Sequence, residues 1–393
     1  MSSINKINKL VFQWMKSKWR SPGLILGIIL CLNFFILAGS GDLLEFEFEE
    51  YPAPSHSEKG VPRAYLVLEK IIKPDFDNDL FMAKPTALTV DDEGSIYVYD
   101  QILRRIYKFD AQYRYMGHFL KEGRGPGEIL ALDSGFHKLY YSENGNLYVC
   151  DSPSWKIIAF SKEGKYINDI QMNEDLFNSY RPFSPVVDKK GNYYFLGDKK
   201  SILYQTDSRM HLLHSYLNVE YNSRFVVFKP STNTKVPNWL WLQPDNENTY
   251  YDITPDEYLV IYLSRPSTIF VFRNKTLIRQ FNVLLEEPMN RFRDSMADSE
   301  AMMKKHKKLV AIFGNMFNSF FVDKDQKSLI YFSDYNDQSK PRLYQFNLEG
   351  KLTKIFVTRE KPKCYILAKR NNLFYGLSFT EGHIYIFKEE VKK

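Results

Sequence analysis

Residues able to do chemistry are few in this sequence and mostly far apart. Its seven histidines are scattered, and only His211 and His214 stand close, on a stretch that reads as a strand, where positions i and i+3 face opposite sides. Three cysteines, Cys31, Cys150 and Cys364, are too isolated for a CxxC metal or redox pair, and no GxSxG nucleophile turn is present. Asp75-Phe76-Asp77-Asn78-Asp79 alternates carboxylates as a calcium loop does. Leu80, however, stands where such a loop needs glycine and Thr86 where it needs a bidentate glutamate, so no calcium site is expected. Gly123-Arg124-Gly125-Pro126-Gly127-Glu128 offers backbone amides and one guanidinium to an anion. Neither a helix start nor a Lys-Ser/Thr pair follows, which excludes a phosphate loop and leaves a tight connection as the main reading.

Two longer segments supply the other candidates. Val219 to Tyr251 is irregular and aromatic, with Trp239 and Trp241 placed to stack on a sugar or peptide. Leu284 to Met316 carries no strand signal. Acids and Pro288 at its start, a Met/Phe stripe, lysines 304, 305, 307 and 308 late and Gly314 just beyond describe an amphipathic helix. The candidate ligand-binding residues are therefore Arg124, Trp239, Trp241 and His306, the last lying among those lysines. The competing account gives the tryptophans a seam to fill, the Met/Phe stripe a core and the lysines a solvated face. No catalytic residue, metal ligand or cofactor is assigned.

The elements that must position these residues show in composition and periodicity. The chain has 393 residues, 44% hydrophobic and 16% aromatic, with 27 Tyr and 30 Phe, which excludes a disordered chain and favours strands. The formal charge is +6, a balance that could suit nucleic acid. Residues 1–41, however, hold five of the cations and no acid, leaving 48 cations against 47 acids in residues 42–393. The excess belongs to a leader. Ser21 to Gly41 is uncharged for 21 residues and is followed by Asp42, Glu45, Glu47, Glu49 and Glu50. As a helix it would reach roughly 31 Å, enough for a hydrocarbon core of about 30 Å. A basic flank, an apolar run and an acidic flank orient the N-terminus inward and the rest outward. Ala38-Gly39-Ser40 would also serve as a cleavage site, but the long basic region favours an uncleaved anchor. Cys31 reads as an apolar neighbour, and Cys150 and Cys364 as buried free thiols.

Residues 61–393 repeat. Gly94-Ser95-Ile96-Tyr97-Val98-Tyr99-Asp100 with Arg105 to Asp110 is matched in register by Gly145 to Asp151 with Lys156 to Ser161. Looser copies follow, so that six units start near residues 86, 138, 185, 251, 318 and 363. Alternating apolar runs broken at Gly, Asp or Asn are strand and turn chemistry. Four short strands per unit at this spacing make a propeller blade. Asp100, Asp151 and Asp334 recur at one place in the repeat, as turn-capping carboxylates would. The last unit is short, and Arg63 to Ile72 has no unit of its own. It is expected to supply the outer strand of the last blade and so close the ring.

Pro85 to Asp91, Gly94 to Asp100 and Arg105 to Asp110 resemble an NHL-type repeat. The loop Lys121 to Glu128 resembles the GxGPGE connection of six-bladed β-propeller proteins common in bacterial cell envelopes. The resemblance implies a fold and an exported location, and no settled activity. The expected architecture is all-β, a six-bladed β-propeller of four-stranded antiparallel blades preceded by one N-terminal apolar helix, transmembrane or signal. Residues 1–41 are the basic N-terminus and membrane segment, 42–60 a linker and 61–393 the propeller, with a helical insertion at about 284–316. The expected function is binding or scaffolding, with a site at the channel mouth for an envelope protein, peptide or glycan. The alternative is a metal-dependent hydrolase or lyase acting in the channel. Nucleic acid is not an expected partner.

Overall fold

Five stretches of the chain each fold as four successive antiparallel strands. Blade one comprises Pro85–Val90, Ile96–Asp100, Arg105–Phe109 and Tyr115–Phe119. Blade two comprises Leu139–Tyr141, Asn146–Asp151, Lys156–Ser161 and Tyr166–Gln171. Blade three comprises Val186–Val187, Tyr193–Leu196, Ser201–Thr206 and Leu212–Asn218. Blade four comprises Thr249–Ile253, Tyr258–Leu263, Thr268–Arg273 and Thr276–Asn282, and blade five Ser319–Val322, Leu329–Asp334, Arg342–Asn347 and Leu352–Thr358. These strands come from a computed structural model, which describes residues 49–50, 56–73, 75, 80–130, 139–151, 154–172, 185–196, 201–218, 228–229, 249–263, 267–285, 288, 319–325, 329–334 and 340–390.

Blade six has only three strands in sequence, Tyr365–Arg370, Leu373–Leu377 and Ile384–Glu389. Its fourth is Arg63–Ile72, which runs antiparallel to Ile384–Glu389 from Leu66↔Glu389 to Ile72↔Ile384, with a bulge between Leu68 and Lys70. The N-terminal strand therefore closes the ring, as its orphan position in the sequence suggested. It does a second thing that the sequence did not reveal. Its first residues, Arg63 to Leu66, pair in parallel with Ile355 to Thr358 of blade five, so that blades five and six form one eight-stranded sheet.

The first strands ring a common axis, each beside the first strand of the next blade. At the junction of blades two and three the Ser142 hydroxyl donates to the Val187 carbonyl at 2.7 Å. The six first strands begin at residues 85, 139, 186, 249, 319 and 365, within two residues of the expected unit starts.

Packing explains why the second strands read as unbroken apolar runs. Successive side chains of a strand point to opposite faces, and here each face meets a neighbouring blade. On Ile96–Asp100, Tyr97 and Tyr99 join a core cluster with blade two, whereas Ile96 and Val98 join one with blade six. The described residues form six such clusters, one at each blade interface. No blade has a core of its own, so the ring stabilises all of its blades together. A steric device recurs at the rim. Gly164 and Gly350, in the hairpin turns of blades two and five, have φ of +84° and +86°. A Cβ there would come within 2.6 Å of Phe119 and Phe281, at or next to the ends of the outer strands of blades one and four. Both positions need glycine for the left-handed backbone and for the close approach.

Two expectations need correction. Tyr250 and Tyr251 do not belong to an irregular loop: they lie in the first strand of blade four, with Tyr251 buried and Tyr250 stacked on Tyr262 at 5.9 Å. Leu284 and Leu285 do not open a helix. They are buried with Val283 in the blade four–five core, and Leu285 bridges to His56. Pro288 is helical, and the rest of 286–316 lies outside the described residues. Within residues 42–60 some backbone pairing is described. Glu49–Glu50 pair in parallel with Phe228–Lys229, and His56 bridges to Leu285 while its Nε2 lies 2.7 Å from the Gly350 carbonyl oxygen. No helix among the described residues is long and apolar enough to cross a membrane, and residues 1–48, with the apolar segment and Cys31, lie outside them.

Candidate functional site

The polar groups of the ring gather where the first strands finish. Three of those strands end in Val and are followed at once by Asp, at Asp91, Asp188 and Asp323. Each carboxylate turns back on its own chain. Asp91 Oδ1 accepts the amides of Glu93 and Ser95, Asp188 Oδ1 those of Lys190 and Asn192, and Asp323 Oδ1 that of Asp325. The second oxygen accepts a tyrosine hydroxyl from the second strand, Tyr97 at 2.9 Å, Tyr194 at 3.3 Å and Tyr331 at 3.1 Å. All three acids are buried, so these bonds replace the lost hydration. Burial and the adjacent carboxylate in turn hold all three phenols far above their ordinary range, which keeps them neutral donors. The signal was present in the sequence: in blades one and three the Asp precedes a Gly by three residues and a Tyr by six.

Inside this frame, side chains from three blades meet. Lys324, just past the first strand of blade five, donates to Asp252 Oδ1 of blade four at 2.8 Å and to the Ile253 carbonyl at 2.6 Å. Tyr140, on the first strand of blade two, donates to the same Asp252 oxygen at 3.3 Å, and the Lys324 ammonium lies 5.5 Å from its ring centroid. The Val322 amide reaches Asp252 Oδ2 at 3.4 Å. Lys324 and Asp252 keep 17% and 13% of their side-chain surface in contact with solvent, so the group is recessed but open. Burial, and then Asp252, hold the Tyr140 phenol far above its usual range. Such a phenol is a hydrogen-bond donor and not a base.

Beside this group, Lys369 of blade six donates to Asp323 Oδ2 of blade five at 2.9 Å, with both side chains almost wholly buried. Arg370 donates to the carbonyls of Lys324, at 3.0 Å, and of Asp91, at 3.3 Å. Tyr141 donates to Asp92 Oδ1 at 2.6 Å, a bond that lowers the Asp92 pKa. The channel end is thus a set of fixed donors and acceptors from all parts of the ring. Among the described residues no three His, Cys, Asp or Glu are placed to hold a metal ion.

The sequence candidates fall elsewhere. Arg124 is exposed, on a loop that tracks inward across blade two. The Gly127 amide donates to Asp169 on the fourth strand at 3.2 Å, Lys156 at the start of the third donates to the Gly125 carbonyl, and the Leu130 amide donates to Asp151 at the end of the second. The loop's own Glu128 accepts the Gly125 amide at 2.8 Å and pairs with Lys121, which lowers its pKa. Two internal carboxylates, Glu128 and Asp169, and the Ile129 carbonyl thus occupy the glycine amides that an outside anion would need, and the loop acts as a connection. Trp239, Trp241 and His306 lie outside the described residues. So do Asp77 and Asp79, while Asp75 and Leu80 pair through their backbones at 2.7 and 2.9 Å.

The remaining assignments concern turns and thiols. Asp100 accepts the amides of Ile102 and Leu103 and also that of Lys84, a turn cap that holds the entry to its own blade. Among the described residues Asp151 performs the second task, through Leu130, and the side chain of Asp334 is not described. Cys150 and Cys364 are buried free thiols, and burial pushes the Cys364 thiol far up. His211 lies in the turn ahead of its strand, where Nδ1 is 3.0 Å from Asp207 Oδ2, whereas His214 packs edge-on against Tyr216.

A family profile described as a 6-bladed beta-propeller, DUF5128, matches residues 78–359. No curated protein matches the chain. Among solved structures, a presumed exported protein of Bacteroides fragilis is 9% identical, with 88% of this chain and 99% of that one covered and a TM-score of 0.49. A DUF4221 member from Bacteroides vulgatus is 12% identical over 84% of this chain and 99% of its own, with a TM-score of 0.48. Virginiamycin B lyase from Staphylococcus aureus is 10% identical over 81% and 98%, with a TM-score of 0.45. At these identities each likeness concerns the fold alone.

Proposed function

The chain belongs to the DUF5128 family of six-bladed β-propellers, and from that premise we propose that it is a binding or scaffold module of the bacterial cell envelope. Its propeller stands outside the cytoplasm, tethered by residues 21–41. The ligand, a peptide or glycan of the envelope or a partner protein, docks at the channel end where the first strands finish. One observation carries this reading: Tyr140, Asp252 and Lys324 converge there from three blades, with Asp252 and Lys324 part-exposed and each also tied to backbone groups. Rigid donors and acceptors on inner strands favour recognition, because little side-chain freedom is lost on binding. The Tyr140 phenol is kept neutral, and the ammonium of Lys324 is already paired with Asp252. Arg124, Trp239, Trp241 and His306 are proposed as contacts of a partner extending beyond the channel.

Panels of envelope glycans and peptides screened against the full-length chain test this. Binding should weaken at least about tenfold in Lys324→Ala, the size of one lost charge-assisted bond. Turnover of the bound molecule, or affinity unchanged in Lys324→Ala, would overturn the reading. Arg124→Ala in the same screen measures how far the partner reaches.

A further inference from the structure

The closure of the ring leaves a cleft that the channel reading does not use. It has a volume of about 460 Å³, within the range of small-molecule sites. Three segments brought together by the clasp line it. Lys73 follows the closing strand Arg63–Ile72, Phe81 and Met82 lead into blade one, and Thr380, Glu381 and His383 join the second and third strands of blade six.

One side of the cleft is polar and ordered. His383 Nδ1 lies 3.2 Å from Glu381 Oε2, and the Tyr385 hydroxyl donates to the same oxygen at 3.3 Å. Burial and Glu381 push the Tyr385 phenol up to about 12, so it remains a donor at neutral pH. The one carboxylate lining the cleft is therefore already engaged by two neighbours. With Nδ1 donating to Glu381, Nε2 is the remaining polar atom of the His383 ring. Lys73 makes no ion pair with any described residue, and the Thr380 hydroxyl adds a further donor. The other side is apolar. Met82 is buried in the blade six–one core, while Phe81 exposes 42% of its surface.

We propose that this cleft binds a compact organic anion, its carboxylate on the Lys73 ammonium with Thr380 and His383 beside it, its apolar body against Phe81 and Met82. The Lys73 ammonium and the Thr380 hydroxyl are the donors left over in the cleft, and the apolar wall rejects a fully hydrated ion such as sulfate. The cleft exists only when the N-terminal strand is seated, so occupation also bridges the two ends of the propeller.

Calorimetric titration of the full-length chain in detergent, with benzoate as the probe, tests the site. Saturable binding of one benzoate per chain is expected, with no saturable binding of the uncharged isostere benzamide. Lys73→Ala should weaken benzoate at least about tenfold, by loss of the charge-assisted contact. Lys73 is exposed, so that variant keeps the fold, and an unchanged melting temperature verifies it. On the wild type, the His383 imidazole resonances should shift in step with the calorimetric titration. Absence of saturable benzoate binding, equal binding of benzamide, or unaltered affinity in Lys73→Ala would each overturn the proposal.

Discussion

Blades five and six are built from the same four-strand unit as blades one to four, yet their outer edges have a different fate. The fourth strands of blades one to four are sheet edges, and they expose Met116, Tyr166, Ile167, Leu212, Leu213, Leu277 and Ile278. In blade five the later part of the equivalent edge, Ile355 to Thr358, is covered by Arg63 to Leu66. The same N-terminal strand completes blade six. Near the axis the pair is joined again, by the Lys369–Asp323 ion pair and by the Ser319 hydroxyl donating to the Ile366 carbonyl at 2.7 Å. Ring closure is therefore local. A repeat that would otherwise treat every blade alike concentrates its fastening in one sector, and a single strand of ten residues serves two blades.

The contrast can be broken first by deletion. Removing residues 61–73 uncovers the edge of blade five and strips blade six of its outer strand together, so the chain should aggregate and lose its cooperative melt. A monomeric product with a normal melt in size-exclusion and calorimetric runs would show that the clasp is dispensable. Next in size is Lys369→Met, which leaves the buried Asp323 without its cation and should cost about 3–5 kcal/mol in denaturant unfolding. A loss well under 1 kcal/mol would mean that the two blades are held by the clasp alone. The smallest effects come from a matched pair on outer strands. Leu66→Ala, at a leucine 1% exposed in the blade five–six core, should cost about 2–5 kcal/mol. Leu212→Ala, at one 45% exposed on blade three, should stay within about 0.5 kcal/mol. Equal losses would erase the distinction between the two sectors.

Much of this architecture was legible in the residues. The strand starts follow from turns such as Asp91 to Gly94 and Asp188 to Gly191, whose side chains act on their own neighbours in sequence. The clasp was legible by subtraction, since Arg63 to Ile72 is a strand with no unit to join. Its pairing with blade five was not, because a parallel partner 292 positions away, as in Arg63↔Ile355, leaves no mark on either segment. The candidate site was legible least. Tyr140, Asp252 and Lys324 are single residues in three different blades, separated by 112 and 72 positions, and none carries a motif. Arg124 stood out for its glycine-rich loop, which the chain fills with its own Glu128.

Sequence by itself determined the repeat, the number of blades and the strand that would close them, since these depend on period, turn chemistry and apolar burial within short windows. It also confined the positive charge excess to residues 1–41. Only the tertiary structure decided which polar side chains face one another across the channel, which blades share an edge and where a cleft opens at the seam. Those features depend on the closure of a ring, which sets distances between residues that no local pattern relates.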